Sequence, residues 1–221
     1  MARILYGVQG DAHGHAVRAL TIARRFPEHE FLFVSYDHGA RLLRQEFPVF
    51  DCPGLETFVD NHRLDSSRTI LGNLRFFGRE RFHLDRIVQL IDGFKPDVAI
   101  TDYEYFVPRA CRRTGVVCLS LDHQHTITAS FHPVPRRQLP SYLATYLSIR
   151  ILFSRASRYM VTSFFPPPES CRTTEVVFVP PLLREQVLQI QPTTGDHVLA
   201  YRSHPPSDHF QIGRASCRER V

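Results

Sequence analysis

Short, almost wholly apolar runs alternate with longer stretches in which apolar residues recur every three or four positions. Arg3–Val8 (RILYGV) is the first such run. Gly7, Gly10 and Gly14 follow or close it, and Val17, Leu20, Thr21 and Phe26 then fall at helical spacing. This predicts a strand, a glycine loop and a helix. Residues 31–35 (FLFVS) read as a buried strand, 40–46 as a short helix, and 49–52 as another strand before the Pro53-Gly54 turn. Between Arg68 and Ile91, apolar residues such as Ile70, Leu71, Leu74, Phe77, Phe82, Leu84, Ile87, Val88 and Ile91 lie among arginines, which predicts one long amphipathic helix despite Gly72 and Gly78, ended by Lys95-Pro96-Asp97.

Two more continuous apolar strands, 98–101 (VAIT) and 116–121 (VVCLSL), run into Asp102 and Asp122, with a helix over 107–113 between them. A helix over 139–153, strands at 159–162 and 176–179, a short helix at 184–188 and a new strand at 198–201 complete the pattern. Strands alternating with helices predict an α/β fold: a Rossmann-like, mostly parallel sheet with helices on both faces. The expected organisation is a Rossmann-like domain over 1–179, a linker over 180–195 and the first strand of a further domain in 196–211.

Residues 212–221 (IGRASCRERV) have no apolar period and resemble the translation of a sequencing adapter. They are expected to be non-native, with the natural chain continuing past Gln211. Removing them takes away three arginines and one glutamate, so the net charge of +5 becomes +3.

A chain of 221 residues that is 43% hydrophobic and 22% charged can bury a real core, which excludes a disordered tail or a disulfide miniprotein. Its basic residues are arginines, apart from Lys95, and they are scattered, which argues against a nucleic-acid arm. Five cysteines with no C-x-x-C pair read as reduced thiols. Cys52, Cys111 and Cys118 lie in apolar contexts, where a thiol behaves as a small hydrophobe.

The loop spacing G-x-x-G-x-x-x-G differs from that of dinucleotide binders, and no acidic residue closes the second strand to hold a ribose. A nicotinamide or flavin cofactor is therefore disfavoured. Taken alone, the loop is either a phosphate cradle or a tight turn.

The stretch GVQGDAHGHAVRALTIARRF resembles the first loop and helix of bacterial GT-B glycosyltransferases, in the branch that opens G-x-x-G-x-G-H-x-x-R. Gly7, Gly10, Gly14, His15 and Arg18 supply its glycines, histidine and arginine, and Ala12 stands where a glycine is common. KPDVAITDYE, CLSLDHQH and FVPPLLR continue the likeness over nearly all of residues 1–201. The chain is also similar, more distantly, to the lipid-linked N-acetylglucosaminyl transferase of peptidoglycan synthesis. The resemblance implies an amino-terminal acceptor-side domain, with the nucleotide-sugar donor bound mainly by a carboxy-terminal domain beyond these residues. It implies a cell-envelope glycosyltransferase, inactive as this length of chain. The implied partners are a nucleotide-sugar, as substrate rather than cofactor, and a saccharide or lipid-linked acceptor. It would be cytoplasmic, with a peripheral contact to the inner face of the membrane. A nucleotide-sugar epimerase of similar fold and a non-enzymatic Rossmann-like binding module stand as alternatives.

Base-assisted direct displacement needs a group to take the acceptor's hydroxyl proton and positive groups or helix ends to hold the diphosphate. His15 is the first candidate base, with His13 behind it; equally, His15 could only hold the glycine loop in shape. Asp102 is a candidate catalytic or histidine-orienting carboxylate, or a simple helix cap. Arg18 could meet an anionic acceptor or diphosphate, or pair with a strand-end carboxylate. Glu104, Asp122, His123 and His125 occupy the same strand-end loops and join Gly7, Gly10, His13 and Gly14 as candidate binding residues. His123, His125 and His132 lack a suitable cysteine partner, so no metal is expected. Residues 142–153 (YLATYLSIRILF), with Arg136-Arg137 nearby, suit either an ordinary helix packed on the sheet or a lipid-touching one.

Overall fold

A computed structural model describes residues 1–11, 13–56, 59–60, 63–64, 66–165, 175–193 and 195. Its centre is a parallel sheet in the order β3-β2-β1-β6-β7-β8-β9. The strands are β1 (Arg3–Val8), β2 (Glu30–Ser35), β3 (Val49–Asp51), β6 (Val98–Asp102), β7 (Cys118–Asp122), β8 (Arg158–Thr162) and β9 (Val176–Val179). A small antiparallel pair, β4 (Val59–Asp60) and β5 (Arg63–Leu64), lies outside this sheet and is not foreseen by the apolar pattern. The residues divide into two compact units, Met1–Glu185 and Gln186–Val221, and the sheet belongs to the first.

Alternation along each central strand builds a core on both faces. Ile4, Tyr6 and Val8 of β1 join Phe31 and Phe33 of β2 beneath helix α1 (His13–Arg25) and α2 (Asp37–Leu43). Leu5 and Val34 face the opposite layer with Ala99, under α5 (Glu80–Phe94) and α6 (Val107–Thr114). Helix α1 turns Ala16, Ala19, Leu20 and Ala23 inward, mostly small side chains that let it lie close to the sheet. Cys52, Cys111 and Cys118 are buried and unbridged, and burial raises the pKa of Cys52 well above the usual thiol range.

The long helix expected over 68–91 is instead three: α3 (Ser66–Gly72), α4 (Leu74–Gly78) and α5. Asn73 makes the first break. Its side chain accepts from the Glu56 N–H (3.0 Å) and donates to the carbonyls of Glu56 (2.8 Å) and Thr69 (2.7 Å), which ties the junction to a distant loop. Gly78 and Arg79 make the second, and Lys95, in the left-handed region at φ 51°, ends α5 where expected. Helix α2 begins at Asp37, three residues before its expected start.

After β7 come α7 (Thr126–Ala129), a 3-10 turn (Arg136–Gln138) and α8 (Leu139–Ser148). A π turn (Ile149–Phe153) extends α8 without a break, so the helical stretch expected over 139–153 is continuous but widens at its end. The last described helix is α9 (Glu185–Leu188). The strand expected at 198–201, Cys171, Cys217 and the tail over 212–221 lie outside the described residues. Among the described residues, no helix is long and apolar enough to cross a membrane.

Candidate active site

The order of connection reverses between β1 and β6, which pair directly with Val8 opposite Asp102. In open parallel sheets, ligands gather beyond the carboxyl ends of the strands at such a point. Here β1 feeds the glycine loop and α1, and β6 ends in Asp102.

His15, in the first turn of α1, reaches across this point to place Nδ1 2.7 Å from Asp102 Oδ1. Arg18, one turn along, donates from Nε to Oδ2 and from a terminal nitrogen to Oδ1, both at 2.7 Å. The Asp102 side chain is fully buried, while His15 and Arg18 keep 13% and 18% exposure. Burial opposes the Arg18 charge, but the hydrogen bonds and charge of Asp102 outweigh it and raise the guanidinium pKa. A carboxylate held by two guanidinium donors acts toward the imidazole as an acceptor, so the proton sits on His15 Nδ1. That leaves the Nε2 lone pair pointing away from Asp102. Gln124 Nε2 lies 3.3 Å from it, close enough for the amide to donate there.

Tyr103, directly after Asp102, has φ 57°, a conformation that non-glycine residues seldom adopt and that accompanies functional turns. Its ring stacks on Phe153 at 3.8 Å between centroids and lies parallel to the His15 ring at 6.4 Å. The turn carries the chain away from the strand and brings Glu104 back beneath the glycine loop. Glu104 accepts from the N–H groups of Phe106 (2.8 Å) and Val107 (2.6 Å) and so caps α6. It is buried, and desolvation raises its pKa to about 7 against the opposing pull of those N–H groups.

The three glycines divide into two kinds. A Cβ on Gly7 would sit 2.8 Å from Val107 Cγ2 and 2.9 Å from Glu104 Oε2, and one on Gly10 would sit 2.1 Å from the Tyr36 carbonyl oxygen. Both are glycine because protein closes over them, not because a ligand does. Gly14 has nothing within 4 Å of its would-be Cβ and lines a cavity of about 340 Å³. Arg18, His123, Thr162, Ser163 and Leu182 share that lining.

The remaining candidates are placed as follows. His13 is exposed, its ring tilted beside that of His38. His123 is exposed, with Nδ1 2.6 Å from the Thr162 carbonyl, against which it donates. Asp122 and His125 are 1% and 3% exposed and turned to each other: Oδ2 meets His125 Nδ1 at 2.6 Å and Ser120 Oγ at 2.6 Å. Burial works against the Asp122 charge, yet these hydrogen bonds and His125 outweigh it and hold its pKa below the ordinary carboxylate value. The pair knits the β7 loop and does not face the cavity with His123. His132 turns to the Thr126 carbonyl, so the three histidines do not converge. Among the described residues, no group of three histidine, cysteine or acidic side chains could hold a metal. Gln124, Tyr103 and Thr162 were not singled out by the sequence; Gln124 stands inside H-x-H, where only the histidines draw attention.

These features define a Rossmann-like α/β domain of the GT-B amino-terminal type, with a histidine–carboxylate pair at its switch point. The chain belongs to glycosyl transferase family 1, whose model matches residues 2–218. Among solved structures it is similar to the glycosyltransferase of kitacinnamycin, at 13% identity and a TM-score of 0.53 over 91% of this chain and 60% of that one. It is also similar to a Polygonum tinctorium UDP-glucosyltransferase that glucosylates indoxyl, at 13% identity and a TM-score of 0.52 over 85% and 55%. LpCGTa in complex with UDP matches at 12% identity and a TM-score of 0.52 over 83% and 53%. The chain thus spans about half the length of the solved structures it matches. No curated protein sequence matches it.

Proposed function

We propose that the whole protein transfers a sugar from a nucleotide-sugar to the hydroxyl of a saccharide or lipid-linked acceptor, with His15 as general base. The observation that carries this reading is the His15–Asp102 pair at the switch point, with Nε2 left as acceptor. Nε2 takes the proton as the acceptor oxygen bonds to the anomeric carbon. The bond from that carbon to the diphosphate breaks, and the nucleoside diphosphate leaves with the electron pair. Asp102 offsets the charge that His15 gains, and Arg18 keeps Asp102 in place. Gly14 and the cavity beside it, which the domain over 1–179 builds with the start of the linker over 180–195, fit the acceptor side, and residues 196–211 open the donor side. The reaction belongs to the cytoplasmic face of the cell envelope, with the protein peripheral to the membrane.

The test is product analysis with the whole protein, a panel of nucleotide-sugars and saccharide or lipid-linked acceptors. His15→Ala and Asp102→Asn are each expected to lower kcat by about 10²–10⁴-fold. Undiminished transfer by His15→Ala overturns the assignment of the base. Release of an epimerised nucleotide-sugar with no acceptor product overturns transfer itself.

A further inference from the structure

Helix α8 shows its apolar side to solvent. Leu139, Leu143, Leu147 and Ile151 recur every fourth residue and are 44%, 47%, 53% and 55% exposed. Steps of four drift around an α-helix, and the wider turn of Ile149–Phe153 works against that drift, which keeps Ile151 near the line. No residue of Leu139–Ser148 is buried, and the stretch is held to the protein mainly through the π turn that follows. Ile149 and Phe153 are buried, Arg109 donates to the Leu152 carbonyl at 2.7 Å, and Tyr142 Oη donates to the Ile127 carbonyl at 3.3 Å.

Charge decides what covers it. From His123 to Phe165 the sequence has no aspartate or glutamate, but it has Arg136, Arg137, Arg150, Arg155 and Arg158. Arg136 and Arg137 precede the stripe and Arg150 lies near its end; all three are exposed, and none forms a salt bridge among the described residues. Glu175 shares a small hollow with Arg150 without pairing to it. A second exposed apolar set, Leu71, Leu74, Phe77 and Phe82, also has exposed arginines in its stretch of chain, Arg75 and Arg79, but Glu80 and Asp85 stand among them, whereas no acidic residue occurs in the sequence around α8. An apolar stripe one helix long, with unpaired arginines toward both ends, is the pattern of a helix lying flat in an anionic lipid surface.

We infer that the outer face of Leu139–Ser148 and the following π turn docks the protein on an anionic bilayer, the apolar side chains entering the interface and Arg136, Arg137 and Arg150 meeting lipid phosphates. The inference rests on the membrane-facing part of the reading above and not on its chemistry.

The experiment is co-sedimentation of the whole protein with phosphatidylglycerol–phosphatidylcholine vesicles and with phosphatidylcholine vesicles alone. Binding is expected to the anionic vesicles and to weaken with salt. Arg136→Glu/Arg137→Glu is expected to weaken it by about fivefold or more for each arginine, and Leu143→Glu/Leu147→Glu to abolish it. Leu71→Glu/Leu74→Glu is expected to leave it unchanged. These positions are exposed, and thermal unfolding followed by circular dichroism verifies that each variant folds. Failure of the wild type to bind, binding untouched by the α8 variants, or loss only with Leu71→Glu/Leu74→Glu overturns the inference. So does a dimer that Leu143→Glu/Leu147→Glu disperses. Transfer to a soluble acceptor, measured alongside, separates the two readings: if vesicle binding persists and no transfer is found, the chemistry fails and the docking stands.

Discussion

Arg18 could have served an incoming anion or the protein's own carboxylate, and its geometry divides these roles unequally. Both of its hydrogen bonds to Asp102 are 2.7 Å long, and they lock the carboxylate that orients His15. It also borders the cavity, but Nε and one terminal nitrogen are turned to Asp102. A planar fork is what holds both carboxylate oxygens, and an ammonium group lacks it. Arg18→Lys is therefore expected to lower kcat by about tenfold or more while leaving the acceptor KM near its original value, because the loss falls on the orientation of His15. A large rise in KM with unchanged kcat would instead place the guanidinium on the substrate. Steady-state kinetics over a range of acceptor concentrations decides between them. Gln124 belongs to the same layer: its amide lies 3.3 Å from the His15 nitrogen proposed to take the acceptor's proton, and in that reading substrate displaces it. His15, Asp102 and Arg18 could be picked out from sequence because each stands at a strand end or beside the glycine loop. Gln124 could not, since its partner is 109 residues away and nothing in its own neighbourhood marks it.

Among the elements, the glycine loop shows how one motif holds residues with unrelated tasks. Gly10 is pressed against the Tyr36 carbonyl and Gly14 faces open space in the first turn of α1. Gly10→Ala must push backbone apart and is expected to destabilise the fold by roughly 2 kcal/mol or more. Gly14→Ala removes a flexible residue from a helix and is expected to stabilise by about 0.5–1 kcal/mol, yet to impair acceptor use by narrowing the cavity. Denaturant titration of both variants, with kinetics of the second, tests the contrast. The sequence could not sort these glycines, because the sorting is done by Tyr36 and Val107 from other elements. The same limit explains α3 to α5. Apolar spacing runs on through Gly72 and Gly78 as if one helix continued, while the bonds that break it come from Glu56, 17 residues before Asn73. The central strands were easier to read, because burial on both faces leaves continuous apolar runs with no competing helical period.

At the level of the whole molecule, two buried carboxylates at neighbouring strand ends give opposite pH dependence to the same fold. Asp122 is held below its ordinary pKa, so its contribution is present above about pH 4 and lost as the pH falls further. Glu104 is raised from 4.5 to about 7, so the folded protein binds more protons than the unfolded chain between those values. Its contribution is therefore complete below about pH 4.5 and declines as the pH rises to about 7, by about 3 kcal/mol for a shift of this size. Together these two groups favour mildly acidic solution, near pH 4–5, whereas the role proposed for His15 as base needs a neutral imidazole. That opposition follows from the architecture. The Glu104 carboxyl must sit in the dry space under Gly7 to cap α6, and the same turn that puts it there delivers Asp102 to His15. Glu104→Gln removes the titration; its single amide oxygen keeps one of the two α6 N–H bonds and its NH2 faces the other, which lowers stability at both pH values, so the test rests on the difference between them. Urea unfolding at pH 5 and pH 8 should show the wild type losing stability at the higher pH and Glu104→Gln losing much less. Equal losses in the two proteins would mean that another group carries the dependence.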